Sequence, residues 1–203
     1  MRNRIALLAA AAFIASAPLS YAVGPESSSV NVQPKIPTYS ASFAALTPAA
    51  SATDLVVLTG SATKTVRLES FKCTGTSTAA ASQVVSLTVR TTADSGGTAV
   101  TAPTIFAHSA SDPAATAVLS AYSANPTLGT SGGILDLGLL QTPAPASIGA
   151  VNGVDFEYNY NDISERRKEP SLTGVANQIA FNMGGVSIAT GGVVACTVTW
   201  TEN

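Results

Sequence analysis

The spacing of apolar residues from Tyr39 onward constrains this chain more than any other feature. Short apolar runs, several of them alternating with polar residues, are interrupted by Gly, Pro, Asn, Asp or Ser at intervals of about ten residues. Alternation with a period of two places successive side chains on opposite sides of an extended strand. The pattern predicts an all-β domain, an antiparallel two-sheet sandwich or jelly roll of about nine strands.

Three segments carry the clearest strand patterns. Asp54–Thr59 is a continuous apolar run, which predicts a strand buried on both faces. In Gln83–Thr91 and Val193–Thr201, apolar residues alternate with polar ones, and we expect the apolar set to face the core: Val85, Leu87, Val89, Val194, Cys196, Val198 and Trp200. Further strands are predicted at Thr63–Ser70, Thr104–His108, Gly133–Leu140, Val154–Asn159 and Gln178–Met183, the last with Ile179 and Phe181 facing inward.

One segment fits two structures. Asp112 followed by Pro113 and two alanines has the form of a capped helix start. The β-branched and aromatic residues of Thr116–Tyr122 favour a strand instead. We expect the strand, because the rest of the chain offers no helix for such an element to pack against.

The N-terminus has the form of a secretory signal. Arg2 and Arg4 precede the short apolar stretch Ile5–Ala17, and Ser20-Tyr21-Ala22 supplies small residues at a cleavage site. Residues 1–22 are therefore predicted to be a signal peptide, the alternative being a retained hydrophobic segment. Residues 23–38, with three prolines and three consecutive serines, are predicted to be an extended arm, and residues 39–203 the β domain.

Charge narrows the range of partners. Removal of Arg2 and Arg4 leaves eight of the ten Lys and Arg residues against twelve Asp and Glu, a formal charge near −4. Nucleic acids and anionic membranes select basic surfaces, so we expect neither as a partner. No later apolar run approaches the length of about 20 residues that a membrane span needs, and no permanent span is expected.

Residue types that carry catalysis are sparse. His108 is the single histidine, and a lone histidine is more often structural than a general base or metal ligand. The glycine-rich Gly129–Gly133 reads as a turn, and Asp155 and Glu157 as one solvated strand face rather than a glycosidase pair. We therefore predict no enzyme activity, no catalytic residues, no cofactor and no metal site.

Cys73 and Cys196 are the two cysteines of the chain. An exported protein would meet an oxidising compartment, where the two can form a disulfide; the alternative is two separate buried thiols. In a regular strand Cys73 would lie on the same side as Phe71 and on the opposite side from Val66 and Leu68. It faces the core together with Cys196 only if a β-bulge lies near Ser70.

Charged residues cluster in one segment of this weakly charged chain. The segment lies between two predicted strands and reads either as a solvated loop or as a contact loop for a partner. Its charged residues are Asp162, Glu165, Arg166, Arg167, Lys168 and Glu169.

Three stretches resemble bacteriophage and prophage structural proteins of the β-sandwich type. They are Ala52–Thr76 with its GSATKTVR hairpin, Asp94–Thr130 with its NPT-LGT turn, and Gly185–Glu202 with its TGG and WTE motifs. The resemblance implies a non-enzymatic virion component, such as a head decoration, fibre or tail-associated subunit. Its expected partners are other copies of itself and other virion proteins, and the expected location is the virion.

A signal peptide departs from that family, because virion proteins of tailed phages normally assemble in the cytoplasm. The alternatives are an exported bacterial surface protein, similar to a pilin or adhesin subunit, and a secreted ligand-binding β-sandwich module. For these the expected location is the periplasm, the cell surface or the extracellular space.

Overall fold

The computed structural model describes residues 35–144, 155–160, 169–186 and 191–203. The predicted signal segment and residues 23–34 of the predicted arm lie outside the described residues. Lys35–Asn203 forms one compact unit.

The described residues of this unit form twelve strands in two antiparallel sheets. The first sheet contains β1 (Thr38–Leu46), β3 (Thr65–Thr76), β6 (Phe106–Ala107), β9 (Phe156–Asn159), β10 (Ser171–Thr173) and β12 (Val193–Glu202). The second contains β2 (Asp54–Thr59), β4 (Ala81–Arg90), β5 (Thr98–Ala99), β7 (Val118–Ala124), β8 (Ser131–Thr142) and β11 (Gln178–Asn182). The predicted all-β, two-sheet architecture is confirmed.

The strand order is that of a jelly roll. In the first sheet it is β10-β3-β12-β1-β6, and β9 pairs with a further stretch of β3. In the second sheet it is β5-β7-β2-β11-β4-β8. The consecutive pairs β1 and β2, β3 and β4, and β11 and β12 each divide between the two sheets, so the chain winds around the core.

The core lies between the inward faces of the two sheets. Trp200, Tyr39, Phe71 and Phe181 are its largest fully buried side chains. The strand alternation predicted these positions because each apolar set sits on one side of its strand. Of the residues expected to face the core, Val89 is half-buried and the others are buried: Val85, Leu87, Ile179, Phe181, Val194, Cys196, Val198 and Trp200.

A bulge in β3 places the apolar residues that precede it and those that follow it on the same side of the sheet. Leu68 is paired with Trp200 and Ser70 with Thr199, so Glu69 is the extra residue. Val66 and Leu68 before the bulge and Phe71 and Cys73 after it are all buried. The bulge therefore places Cys73 on the core side of the sheet.

Some elements differ from the sequence expectation. β1 was not predicted, although Tyr39, Ala41 and Phe43 alternate with serines and are buried. β5 and β10 were also missed, because two or three residues are too few to show alternation. No helix occurs among the described residues: the chain after Asp112 runs irregularly into β7, as the strand alternative predicted. The described chain accordingly has no helix that could cross a bilayer.

A buried carboxylate holds that irregular segment in place. Glu202 is fully buried in β12 and accepts hydrogen bonds from the backbone N–H groups of Thr116 and Ala117, both at 3.0 Å, and from Trp200 Nε1 at 3.0 Å. Burial opposes its ionisation, but these donors together with the Thr116 hydroxyl outweigh burial and lower the pKa of Glu202. The entry into β7 is therefore fixed to the first sheet.

Candidate functional site

Cys73 and Cys196 form a disulfide between the neighbouring strands β3 and β12. The two residues are direct cross-strand partners with a Cα separation of 4.2 Å, and they lie 123 positions apart in the sequence. A link that closes so long a loop restricts the unfolded chain strongly, and loss of such a native link typically costs about 2–5 kcal/mol.

Of the charged residues in the predicted contact loop, the structure describes Glu169. Asp162, Glu165, Arg166, Arg167 and Lys168 lie outside the described residues. Glu169 is described, and its Oε2 lies 3.4 Å from Arg67 Nη1 with both side chains about one-third exposed. A pair with that exposure adds little to stability.

The residues considered for catalysis lie in separate places. His108 Nε2 is 3.2 Å from the Ser40 hydroxyl on the exposed side of the first sheet. Within the described ranges, no carboxylate is hydrogen-bonded to this imidazole to orient it as a triad would. Asp155 and Glu157 flank Lys72 at 3.7 Å each, which is the arrangement of a solvated strand face.

A two-stranded ribbon crosses the outward side of the second sheet. One half, Thr91–Gly97, leads from β4 toward β5, and the other, Asn125–Thr130, leads from β7 to β8 at the opposite edge. Ser95 and Thr127 join the halves through two backbone hydrogen bonds of 3.0 and 2.7 Å. Gly129 packs so closely on the other half that an added Cβ would lie 1.9 Å from the Thr92 carbonyl oxygen.

A buried ion pair lies beneath the ribbon. Arg90 donates from Nε to Asp54 Oδ2 at 2.8 Å and from Nη2 to Asp54 Oδ1 at 2.9 Å. The Asp54 side chain is 0% exposed and that of Arg90 is 7% exposed. Arg90 also donates to the Gly129 carbonyl oxygen, so the pair joins β2 and β4 to the ribbon.

Asp94 brings a second carboxylate to the same place. Its backbone N–H donates to Gln178 Oε1 and its Oδ1 accepts from the Gly129 N–H, both at 2.8 Å. Its Oδ2 is buried and has no hydrogen-bond partner. Burial raises the pKa of Asp94 to about 6, and the neighbouring Asp54 carboxylate adds to the rise against the opposing effects of Gly129 and Arg90.

Beyond the ribbon, the same outward side is bare and apolar. Val84 of β4 and Ile134, Leu137 and Leu139 of β8 share this side and are 54%, 62%, 62% and 47% exposed. Val186, 54% exposed, lies near the backbone of Val84, since a Cβ on Gly184 would sit 3.4 Å from the Val186 side chain and 3.5 Å from the Val84 carbonyl oxygen. These five residues are called the β8 patch.

The outward side of the first sheet has a different chemistry. Ser40 and Ser42 of β1, Thr197 and Thr199 of β12 and Lys72 of β3 point to solvent there.

A cavity of about 240 Å³ beside Tyr39 is lined by Ile105, Ala107 and Asp112–Ala115. Its volume is below the usual range of about 300–1,000 Å³ for small-molecule sites.

Comparison of the chain with protein-family models, with curated proteins and with solved structures found no match. The function must therefore be argued from the geometry.

Sequence reasoning missed both the buried ion pair and the β8 patch. The segment Gly133–Leu140, apolar except for Asp136, was the available signal for the patch, because an edge strand with one solvated side would normally alternate.

Proposed function

We propose that this chain is a non-enzymatic structural subunit of an assembled particle, in the first place a bacteriophage virion. Its role there would be that of a decoration, fibre or tail-associated protein, with copies of itself and other virion proteins as partners. The sequence resemblance favours the phage particle, and jelly rolls recur in capsid proteins, although a fold alone does not determine a function.

The observation that carries the proposal is the way buried charge is used in the described domain. The Asp54–Arg90 pair and Glu202 each fasten a long connecting segment onto a sheet. Enzyme sites instead leave perturbed charged groups at a cleft, where they meet a substrate. Fastened connections and a disulfide-linked sheet make a rigid block that presents side-chain faces, which suits a building unit.

Detection in particles tests the proposal directly. Cell-free particles purified from a culture that carries the gene should contain this chain in stoichiometric amounts by mass spectrometry, and portal and terminase genes should lie near its gene. Absence from purified particles, with the protein present in the same cells, would contradict the phage assignment.

An exported bacterial surface subunit is the second candidate, and the disulfide is the observation that favours it. Disulfides persist in oxidising compartments and are rare in the cytoplasm. Intact mass measurement of the native protein separates the two candidates. The surface subunit should begin near Val23 and have the mass of an oxidised cysteine pair, whereas an assembly arm would retain the residues from Met1.

A further inference from the structure

The β8 patch brings five exposed apolar side chains together on one surface of the described domain. Single exposed apolar residues are normal on protein surfaces, but a contiguous group marks an interaction site. Elsewhere in the described domain, large exposed apolar side chains such as Phe106 and Val175 come from separate elements. The patch instead combines adjacent residues of two paired strands and the turn beside them.

No charged side chain lies among the outward positions of β4 and β8 around the patch. These positions are occupied by Ser82, Ser86, Thr88 and Gln141 in addition to the apolar residues. A charged partner would lose its hydration there without finding an opposite charge. The complementary surface must therefore be apolar and uncharged.

The edge of β8 is poorly suited to accept another strand. Its register shifts twice against β4, between Leu87 and Thr88 and between Val89 and Arg90. Asp136 places a carboxylate in the same strand, half-exposed. Bulges and charges of this kind are the features that protect edge strands from pairing. A partner is therefore expected to approach the face of the sheet and not its edge.

We propose that the β8 patch is the surface on which two copies of this chain meet face to face about a two-fold axis. Among the described residues, the patch itself is the one surface that offers a contiguous, uncharged apolar counterpart of the same size. A two-fold contact needs only one such surface, since each copy presents the same residues to the other. Leu137 and Leu139 would form the dry centre, and the exposed Ser82 and the half-buried Gln141 the polar rim.

This inference rests on the proposed function, because it specifies how the structural subunit contacts its own kind. Analytical ultracentrifugation of the full chain should show a concentration-dependent dimer. Leu137→Lys places a charge at the centre of the contact and should weaken dimerisation by at least about 30-fold, the loss expected at a central residue. Val118→Lys is the matched control, since Val118 is 52% exposed on the outward side of the same sheet but lies in β7. It should dimerise as the wild type does.

Photocrosslinking identifies the occupant of the patch. With p-benzoylphenylalanine in place of Leu139 in the full chain, crosslinks should join two copies at peptides that contain Val84, β8 or Val186. Crosslinks to residues 1–34 would overturn the proposal and assign the patch to the chain's own N-terminal segment. Crosslinks to a different protein in cell extracts, without dimers of the purified chain, would overturn it as well.

The outcomes separate this inference from the proposed function. Self-association of the wild type that Leu137→Lys leaves unchanged would overturn the patch as the contact and leave the structural-subunit proposal standing. A wild-type monomer at high micromolar concentration would overturn the contact between copies. Presence of the chain in purified particles is measured independently and decides the proposed function by itself.

Discussion

The outward side of the second sheet has two halves with opposite properties. Strand β4 runs through both: Arg90 at one end is buried beneath the ribbon, and Val84 at the other end is 54% exposed. On the same side of one strand, the cationic side chain of Arg90 is therefore buried and the aliphatic side chain of Val84 is exposed to solvent. Whether a side chain on this sheet face is buried depends on whether the ribbon crosses the sheet above it, and not on residue type alone.

The half of the sheet beneath the ribbon is stable only when its buried charged groups keep all of their hydrogen-bond partners. Removing Asp54 and Arg90 from water costs free energy, which the two hydrogen bonds between them and the contact to Gly129 must offset. The bare half makes no such demand, because its side chains are already solvated in the isolated domain. Substitutions should therefore affect folding in the first half and association in the second.

Asp54→Ala should have the largest effect, because it leaves Arg90 buried without its counter-ion. The expected loss is about 3–5 kcal/mol of unfolding free energy, measured by urea denaturation. Asp136→Ala in β8 is the control, since Asp136 is half-exposed and accepts from the N–H of its own neighbour Leu137. It should change the unfolding free energy by less than about 0.5 kcal/mol. Equal losses in the two variants would contradict the contrast between the halves.

Gly129→Ala tests how tightly the ribbon is packed. Its Cβ would overlap the Thr92 carbonyl oxygen, a backbone atom that cannot move alone, and a loss of about 1–3 kcal/mol is expected. Gly132→Ala should cost less in the same thermal or urea measurement, because its Cβ would meet the movable methyl of Thr91 at 3.0 Å. A neutral Gly129→Ala would show that the ribbon packs loosely.

Asp94 should make the covered half sensitive to pH. Its pKa is raised to about 6 in the fold, above the ordinary value of 3.8, so the folded state holds this proton more tightly than the unfolded chain. Its contribution to stability is then fully present at low pH, is lost as the pH rises from about 4 to 6, and stays constant above that window.

Asp94→Asn removes that titration and still provides an oxygen for the Gly129 N–H. Its unfolding free energy relative to wild type should rise between pH 4 and 6.5 and then level off, measured by urea denaturation at each pH. The comparison with wild type cancels the other carboxylates, including Glu202, whose lowered pKa acts in the opposite direction at lower pH. A difference that does not vary with pH would exclude Asp94 as the titrating group.

Leu137→Thr should have the smallest effect on folding. Leu137 is 62% exposed, and Thr suits a strand, so the unfolding free energy of the monomer should change by about 0.5 kcal/mol or less. Urea denaturation at a protein concentration below dimerisation provides the measurement. A loss above 2 kcal/mol would mean that the β8 patch contributes to the core.

The sequence predicted the inward faces well, because alternation is a local pattern. It placed Val85 and Leu87 against Ser86, Thr88 and Arg90 on opposite sides of β4, as the structure has them. It did not predict that Ser86, Thr88 and Arg90 would also be buried. Arg90 is covered by the ribbon, whose path across the sheet depends on strand order, and strand order is not a local property.

The buried ion pair and the residues around it could not be predicted from the sequence for the same reason. Asp54 and Arg90 lie 36 residues apart, and Asp94 and Gln178 lie 84 apart. In the sequence Asp54 merely precedes an apolar run and Arg90 merely ends an alternating one. The bulge at Glu69 was inferred only as a condition for Cys73 to face inward. The structure places it opposite the step from Thr199 to Trp200 in β12.

The strand order also bears on how the chain is made. β12 lies between β1 and β3, and β11 lies between β2 and β4, so the last two strands of the chain stand in the middle of both sheets. While the ribosome has delivered only the residues up to β10, each sheet is split and presents unpaired strand edges. Completion of the fold therefore waits until β11 and β12 have been translated, and until then the nascent chain is open to chaperones and to mispairing with other nascent copies.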